Sequence, residues 1–209
     1  MKLYSFFASS GAYRVRIALA LKKLDVEMEY VDLTKGEHKL DAYRKINPQG
    51  YIPALIDGEH TLNQSLSIIE YLEEKFPTPA LLPSTPHERA RVRAIADMMA
   101  MDIAPINNLK IRNYIKEIPL NEETWIQHWT HDGLKPLEQM LAESKYTGTF
   151  CHGDSPTLAD CVLVPQLFHA RRFKVDMSAY PTLVRIDAAC NALEAFKQAH
   201  PSAQKDAPK

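Results

Sequence analysis

Closely spaced prolines divide this chain into two parts of different character. The segment FPTPALLPSTPHE, at residues 76–88, carries the prolines Pro77, Pro79, Pro83 and Pro86. Proline lacks a backbone N–H and has a fixed φ, so prolines at this spacing cannot continue a helix or a sheet. The pattern predicts an ordered linker at residues 78–86, with one domain before it at 1–77 and another after it at 87–209.

The first part alternates short β-type runs with helical patterns. KLYSF and VEMEYVDL are typical of strands, and GAYRVRIALALKKL between them has the apolar spacing of a buried helical stripe. This order predicts a βαβ unit with a right-handed crossover. Farther along, ALIDG and HTLN predict a hairpin that turns at Asp57 and Gly58, and QSLSIIEYLEEKF predicts a closing helix. The expected order is therefore β-α-β, then α, then β-β-α.

The second part has helical patterns almost throughout. The periodic segment HERARVRAIADMMAMDIAPINNLKIRNYI contains Pro105, which predicts a bend there. EETWIQHWTHDGLKPLEQMLAES predicts a second helix. SAYPTLVRIDAACNALEAFKQAH predicts the last helix, followed by a polar tail that is expected to fray. Between the second and the last of these helices, Thr157 and Asp160 predict a capping box that opens a buried helix. The predicted fold class is an α/β first domain followed by an all-α second domain.

The composition argues against several classes of partner. With 24% charged residues and a formal net charge of −1, the chain has no general attraction for nucleic acid or an anionic membrane. No segment approaches the roughly 20 apolar residues of a membrane span, and the apolar start is too short for a signal peptide. The cysteines Cys151, Cys161 and Cys190 lack metal-binding or C-x-x-C spacing, which predicts a reducing, cytoplasmic location. His128 and His131 share a predicted helix face without a third ligand, so no metal site is expected.

The first residues proposed for a binding site are two serines and the two residues of one X-Pro bond. Ser9 and Ser10 follow the first strand and open the first helix, where free amides and the helix dipole would stabilise an anion such as a thiolate. The Ile52-Pro53 bond suits a strand start or a cis turn. A cis bond would present the amide and carbonyl of Ile52 to a peptide-like ligand.

A second helix start completes the candidate site. Gln64 and Ser65 open the closing helix, where Ser65 is a natural N-cap and the same amides would seat a carboxylate. Each feature also has a purely structural explanation, which is an N-cap for the serines and an ordinary X-Pro turn for Pro53. Their occurrence in one predicted thioredoxin-like domain, in an order that would line one cleft, favours a binding site.

Several segments match motifs of a known family. They are SS-x-x-x-RVRIAL near the start, NPQG-x-IPAL, the QS-x-x-IIEYLEE helix and TLADC-x-L-x-P in the second part. On these segments the chain resembles the cytosolic glutathione transferases over nearly its whole length. RVRIAL, PINNL and RRFKVD point more narrowly to the zeta class, which includes maleylacetoacetate isomerase and bacterial maleylpyruvate isomerase.

The resemblance implies a thioredoxin-like glutathione domain, an all-helical substrate-site domain, and a homodimer with glutathione as its cofactor. By position, Ser9 and Ser10 would be the catalytic donors to the glutathione thiolate. Ile52, beside Pro53, would bind the cysteinyl backbone of glutathione. The other implied glutathione contacts are Gln49 at the glycyl side, Gln64 and Ser65 at the γ-glutamyl end, and Asn108 from the helical domain.

The chain departs from the zeta pattern at three positions. Ala8 and Gly11 stand where the class usually has the arginine and cysteine of R-S-S-C, and Ala104 stands where related isomerases carry a histidine before the proline. The lost arginine matters because maleyl-type substrates are dianions, which a guanidinium binds in bidentate fashion. The candidates for the substrate carboxylate are Arg172 in the RRF segment and, less strongly, Lys110 and Arg171.

The reaction implied by the resemblance is glutathione-dependent cis–trans isomerisation of a maleyl keto acid in aromatic catabolism, by thiolate addition, bond rotation and elimination. One alternative is conjugation or dehalogenation of small electrophiles such as haloacids. Another is a non-catalytic glutathione-transferase-like binding protein, although a pure interaction module has no physical need for NPQG-x-IPAL and QS. A thiol–disulfide oxidoreductase would need a cysteine near residues 9–11, and the chain has none there.

Overall fold

The computed structural model describes residues 1–208, which form two compact units. The first unit contains residues 1–81 together with the chain end from Leu193, and the second contains residues 82–192. The predicted domain limits at residues 77 and 87 stay a prediction. The chain end from Leu193 packs within the first unit.

The first unit is built on a four-stranded sheet. Its strands are β1 (Lys2–Ser5), β2 (Glu27–Tyr30), β3 (Ala54–Asp57) and β4 (His60–Asn63). They lie in the order β2-β1-β3-β4, with β1 parallel to β2, and with β3 antiparallel to both β1 and β4. The helices of this part are α1 (Ser10–Leu21), α2 (Asp41–Arg44) and α3 (Ser65–Lys75). A parallel pair of strands needs a crossover connection, and α1 provides it between β1 and β2. The predicted βαβ unit is therefore confirmed.

The hairpin between β3 and β4 turns one residue later than predicted. Asp57 pairs with His60, so the two-residue loop is Gly58-Glu59 rather than Asp57-Gly58. Gly58 has a φ of +60°, a left-handed conformation that glycine adopts at no steric cost. Asp57 stays in the strand, where its carboxylate accepts a hydrogen bond from Tyr71 of α3.

The regular elements of the second unit are helices. They are α4 (Pro86–Asp97), a π-helical segment (Met98–Ile103), α5 (Leu109–Ile115), α6 (Glu122–Ala142), α7 (Leu158–Arg172) and α8 (Pro181–Ala192). The central helix is α7, which is buried over most of its length and packs against α4 and α8. An α/β unit followed by a helical one confirms the predicted fold class.

The predicted bend at Pro105 is wrong, because the helix ends there. The π-helical segment stops at Ile103, the chain turns through Pro105, and α5 starts only at Leu109. Pro105 has no N–H to continue the hydrogen-bond ladder, so the proline terminates the helix instead of bending it.

The predicted capping box at the start of α7 is present. Asp160 Oδ2 accepts the N–H of Thr157 at 2.7 Å and its hydroxyl at 2.9 Å, and Oδ1 accepts the N–H of Cys151 at 2.9 Å. Asp160 is fully buried, and this burial raises the pKa of its carboxyl despite the hydrogen bonds. A buried carboxylate that satisfies these donors supports a structural role for Asp160.

The predicted last helix is two helices with a break at Leu193. The second of them, α9 (Glu194–Ala199), packs on α1 in the first unit. The buried Arg16 of α1 donates from Nε to the carbonyl oxygen of Ala199 at 3.0 Å. A buried guanidinium needs acceptors, and the end of α9 provides one of them.

The polar tail is ordered, so the expected fraying is wrong for the described residues. Asp206 Oδ2 accepts the N–H of Phe7 at 2.8 Å, and Gln204 Nε2 donates to the carbonyl oxygen of Gln198 at 2.9 Å. The Asp206 contact holds the tail against the segment that connects β1 to α1, and the Gln204 contact ties the tail to α9.

Candidate active site

Ser9 lies at the junction of β1 and α1. Its backbone is extended, with φ −75° and ψ 115°, and its Oγ accepts the N–H of Ala12 at 3.2 Å, so Ser9 is the N-cap of α1. The same hydroxyl donates to the carbonyl oxygen of Ile52 over 3.4 Å, which is a long hydrogen bond. Ser10 is the first helical residue, and its hydroxyl has no hydrogen-bond partner within residues 1–208. The structure thus distinguishes two serines that the sequence pattern left equivalent.

The Ile52–Pro53 peptide bond is cis, which is one of the alternatives that the sequence left open. Ile52 precedes β3, and its N–H meets no acceptor in the described part of the chain. Its carbonyl receives the long hydrogen bond from Ser9. The backbone of Ile52 is therefore available to a ligand that binds as a short added strand.

Gly11 brings the start of α1 directly onto the cis-proline loop. A Cβ placed on Gly11 would lie 3.0 Å from Cδ of Pro53 and 3.1 Å from the carbonyl oxygen of Ile52. Both distances are shorter than ordinary van der Waals contact. The glycine that replaces the cysteine of the zeta pattern thus fits a close approach of helix and loop, and a side chain there would require a small shift.

The start of α3 corrects one prediction. Ser65 is not the N-cap of this helix but its first residue, and Gln64 precedes it with φ 68° and ψ 121°. The hydroxyl of Ser65 accepts a hydrogen bond from Nη1 of the buried Arg14 at 3.2 Å, instead of capping α3. Residues other than glycine rarely adopt the backbone conformation of Gln64. Such a conformation costs about 1–3 kcal/mol, and strained residues of this kind cluster at ligand sites.

Gln49 and Gln64 meet although they are 15 residues apart in the chain. Gln64 Nε2 donates to Gln49 Oε1 at 2.9 Å, while the N–H of Gln49 donates to Asn47 Oδ1 at 3.2 Å. The next residue, Gly50, has a φ of +64°, and a Cβ there would lie 2.9 Å from the carbonyl oxygen of His38. The backbone carbonyl of His38 therefore lies against the loop that carries Gln49.

Two polar residues of this region are not among the site residues predicted from the sequence. The Nδ1 of His38 is buried without a hydrogen-bond partner, and burial beside Lys39 and Arg44 lowers the pKa of its imidazole. Arg14 is buried behind Ser65. A charged residue on the buried side of an apolar helix was the one available hint for Arg14, since such a residue needs a partner.

The candidate residues of the second unit have local roles of their own. Asn108 is the N-cap of α5, and its Oδ1 accepts the N–H groups of Lys110 at 3.0 Å and Ile111 at 3.3 Å. Lys110 is an exposed residue in the first turn of α5. Capping occupies the oxygen of Asn108 and leaves its amide hydrogens to other acceptors.

Arg171 and Arg172 are adjacent at the end of α7 and differ in their partners. Arg171 Nη1 forms an ion pair with Asp187 Oδ2 at 2.7 Å, and the Asp187 side chain is only 6% exposed. Arg172 is exposed, and its guanidinium lies 6.0 Å from the centre of the Phe173 ring. Within the described chain Arg172 has no acidic partner, so its charge is available to an anion.

Residues 1–208 hold neither a helix able to span a bilayer nor a metal-binding cluster. None of the helices there is both long and apolar enough to cross a bilayer. No group of three or more histidine, cysteine or acidic side chains in residues 1–208 is arranged to hold a metal ion.

The fold is that of a glutathione transferase. The N-terminal domain of the glutathione S-transferase family matches residues 3–80, and its C-terminal domain matches residues 130–204. The chain therefore belongs to the glutathione S-transferase family.

Within this family the chain is similar to zeta-class isomerases, as predicted. It is 47% identical to a maleylpyruvate isomerase of Ralstonia sp over 99% of both chains. It is 46% identical to a maleylacetoacetate isomerase of Pseudomonas aeruginosa, over 100% of this chain and 99% of that one. The holo structure of a maleyl pyruvate isomerase, described as a bacterial zeta-class glutathione-S-transferase, matches with a TM-score of 0.97 at 46% identity over 100% of both chains.

A second solved structure carries the ligand. The maleylacetoacetate isomerase of Anaeromyxobacter dehalogenans 2CP-1, with glutathione bound in its active site, matches with a TM-score of 0.90 at 44% identity. The match covers 99% of this chain and 97% of that one.

Proposed function

We propose that this protein is a glutathione-dependent isomerase that converts the cis double bond of a maleyl keto acid to trans. The observation that carries the proposal is the Ser9 hydroxyl 3.4 Å from the carbonyl of Ile52, beside the cis bond to Pro53. This arrangement places a hydroxyl donor next to a backbone suited to a cysteinyl peptide. The high similarity to maleylpyruvate and maleylacetoacetate isomerases supports the same reaction.

The residues of the first unit fit glutathione. The unpaired N–H of Ile52 suits the cysteinyl carbonyl, with Pro53 holding the loop. The strained Gln64 and the free amides at the start of α3, where Ser65 lies, suit the γ-glutamyl carboxylate. Gln49, which hydrogen-bonds Gln64, serves the glycyl side. In the second unit, the amide of Asn108 is the remaining proposed contact.

Ser9 is the proposed thiolate donor, with Ser10 and the first amides of α1 in support. When bound, glutathione supplies a thiolate that adds to the double bond, permits rotation about the resulting single bond and is released unchanged. At an ordinary thiol pKa of about 8.5 only about 3% is ionised at pH 7, and lowering this pKa by about two units corresponds to roughly 2.7 kcal/mol. A hydroxyl donor at about 1.5–3 kcal/mol and a helix terminus at about 0.3–2 kcal/mol provide this preference for the thiolate.

Ser9 is better placed than Ser10 for this role. Its oxygen is held by the N–H of Ala12, while its hydrogen makes only a long bond to Ile52. A thiolate is a stronger acceptor than a neutral carbonyl, so the hydroxyl can turn to the sulfur without losing its cap.

The substrate carboxylate is assigned to Arg172, with Lys110 as a second candidate. Arg172 is exposed and without an acidic partner among residues 1–208, whereas Arg171 is held by Asp187. A free guanidinium binds a carboxylate in bidentate fashion. In this proposal, Arg172 takes over the role of the arginine that the zeta pattern has at the position of Ala8.

The homodimer, the cytoplasmic location and the linker at residues 78–86 are part of the same proposal. The three cysteines are free thiols and fully buried, as expected in a reducing compartment. Sedimentation equilibrium of the purified protein tests the dimer.

The experiment that tests the function follows the enol absorbance of maleylpyruvate or maleylacetoacetate with purified protein and glutathione. We expect turnover without net loss of glutathione, because the thiol is regenerated in each cycle. Turnover that consumes glutathione would indicate conjugation or dehalogenation, and haloacids would then be the substrates to assay. Glutathione binding without any turnover would leave a binding protein, and the isomerase proposal would be abandoned.

A further inference from the structure

Arg14 is a buried cation that uses few of its hydrogen-bond donors. The residue lies on α1 and is 5% exposed. Its Nη1 donates to Ser65 Oγ at 3.2 Å, while its Nε is buried without any partner. A guanidinium has five N–H donors, so most of the hydrogen-bonding capacity of this one is unused by residues 1–208.

The positive charge of Arg14 is also uncompensated. No carboxylate in the described chain forms an ion pair with it, and burial alone lowers the pKa of its guanidinium to about 10, which leaves it charged at neutral pH. Arg16, two residues along the same helix and equally buried, differs. Its guanidinium donates to Ser5 Oγ and to the carbonyls of Phe6, Phe7 and Ala199.

The one partner of Arg14 stands at the proposed γ-glutamyl site. Ser65 is the first residue of α3, whose amides and dipole make this end of the helix positive. Because the Ser65 oxygen accepts from Arg14, its own hydroxyl hydrogen must point elsewhere, toward another acceptor. Accepting a bond from a cation also polarises that hydroxyl and strengthens it as a donor.

We infer that Arg14 is a positioning residue for the γ-glutamyl carboxylate of glutathione, acting through Ser65; this inference rests on the proposed function. Arg14 orients the Ser65 hydroxyl toward the carboxylate and adds a buried positive charge behind the start of α3. A carboxylate bound there offsets the charge that no protein group offsets. In a low-dielectric environment this attraction is much stronger than between exposed charges.

The test compares two ligands in wild-type protein and in Arg14→Met. The ligands are glutathione and 4-aminobutyryl-cysteinylglycine, which differs from glutathione only in lacking the γ-glutamyl α-carboxylate. We expect Arg14→Met to raise the dissociation constant for glutathione about tenfold or more, and that for the analogue less than about threefold. Equal weakening of both ligands would mean a general structural role and would overturn the inference.

Two further variants separate positioning from folding. Arg14→Lys retains the charge but not the forked donors, so it should recover part of the lost glutathione affinity. In a Ser65→Ala background, Arg14→Met should cost clearly less glutathione affinity than in the wild type, because the two residues act together. Full additivity would contradict action through Ser65. If thermal unfolding shows Arg14→Met to be misfolded, the two-ligand comparison is made with Arg14→Lys and Ser65→Ala.

The kinetic readout distinguishes this role from catalysis. At saturating glutathione the kcat of Arg14→Lys should stay within about twofold of wild type, while KM for glutathione rises. A fall in kcat with unchanged KM would overturn the inference. Wild-type protein that does not bind glutathione would overturn the proposed function itself, and this outcome is visible before any variant is made.

Discussion

Ser9→Ala should lower kcat/KM for the maleyl keto acid about 10- to 100-fold at pH 7. The expected cause is loss of a hydrogen bond to a charged sulfur, which is worth about 1.5–3 kcal/mol. The pKa of bound glutathione should rise by about one to two units, because each unit corresponds to about 1.4 kcal/mol. The ultraviolet absorbance of the thiolate, titrated against pH, measures this directly. The activity deficit should shrink at high pH, where the thiol ionises without help.

The capping role of Ser9 calls for a control. Its Oγ accepts the N–H of Ala12, so alanine also removes the N-cap of α1, at about 0.5–2 kcal/mol of stability. Ser9→Gly removes the hydroxyl but costs only a few tenths of a kcal/mol as a cap. It should reproduce the rise in thiol pKa with little change in the melting temperature. A normal thiol pKa in Ser9→Gly would show that the alanine effect is structural.

Ser10→Ala is the matched comparison for the assignment of the donor. Ser10 has a hydroxyl without a partner in the described chain and does not cap α1. We expect this variant to lose no more than about threefold in kcat/KM and to keep its stability within about 0.5 kcal/mol. A larger rise in thiol pKa for Ser10→Ala than for Ser9→Ala would exchange the two roles.

Arg172→Ala should reduce kcat/KM for the dianionic substrate by about 10- to 100-fold, chiefly through KM. The lost interaction is a charge-assisted hydrogen bond to a carboxylate, at about 1.5–3 kcal/mol. Glutathione affinity and the melting temperature should change little, because Arg172 is exposed and has no acidic partner among residues 1–208. Steady-state kinetics at saturating glutathione measure the effect. An unchanged KM would remove Arg172 from the site and make Lys110 the next residue to vary.

Arg171→Ala is the control, and it should have the opposite profile. Its guanidinium neutralises the buried Asp187, so its removal should lower the free energy of unfolding by about 1–3 kcal/mol. The KM for the substrate should stay near the wild-type value. Denaturant unfolding of both variants separates the two neighbours, and similar behaviour in both assays would contradict the assignment.

The Arg171→Ala defect should also depend on pH. Burial raises the pKa of Asp187 in the folded protein, and Arg171 counteracts that rise. Without Arg171 the folded-state pKa lies still farther above the unfolded value, so the folded protein holds the proton more tightly than the unfolded chain. Stability then falls as pH rises from the unfolded pKa through the raised folded pKa. The decrease in the free energy of unfolding caused by Arg171→Ala should therefore be smallest at acidic pH and largest at neutral pH.

Much of the fold could be predicted because short-range rules set it. The helix cap within the Ser9-Ser10 pair, an Ile52-Pro53 bond that suits a cis turn, and the capping box of Thr157 and Asp160 each involve residues that are close in sequence. The zeta-class resemblance added the identity of the ligand, which no local rule contains. The predicted elements differed mainly at their ends, such as the turn at Gly58, where a one-residue shift changes no hydrophobic pattern.

Tertiary packing decided what these residues do for one another. Ser65 accepts a hydrogen bond from Arg14, 51 residues away, and does not cap a helix. The carbonyl of Ala199, near the chain end, accepts a hydrogen bond from Arg16, 183 residues away. The sequence ranked Arg172 above Arg171 only through the family resemblance, and the position of Asp187 supplies a physical reason to separate them. The sequence by itself thus determined the order of the elements and the capping box of α7, because both depend on local chemistry, and its motifs determined the family. The structure decided which charges are neutralised and which are left for a ligand, because that depends on which distant groups share the same buried space.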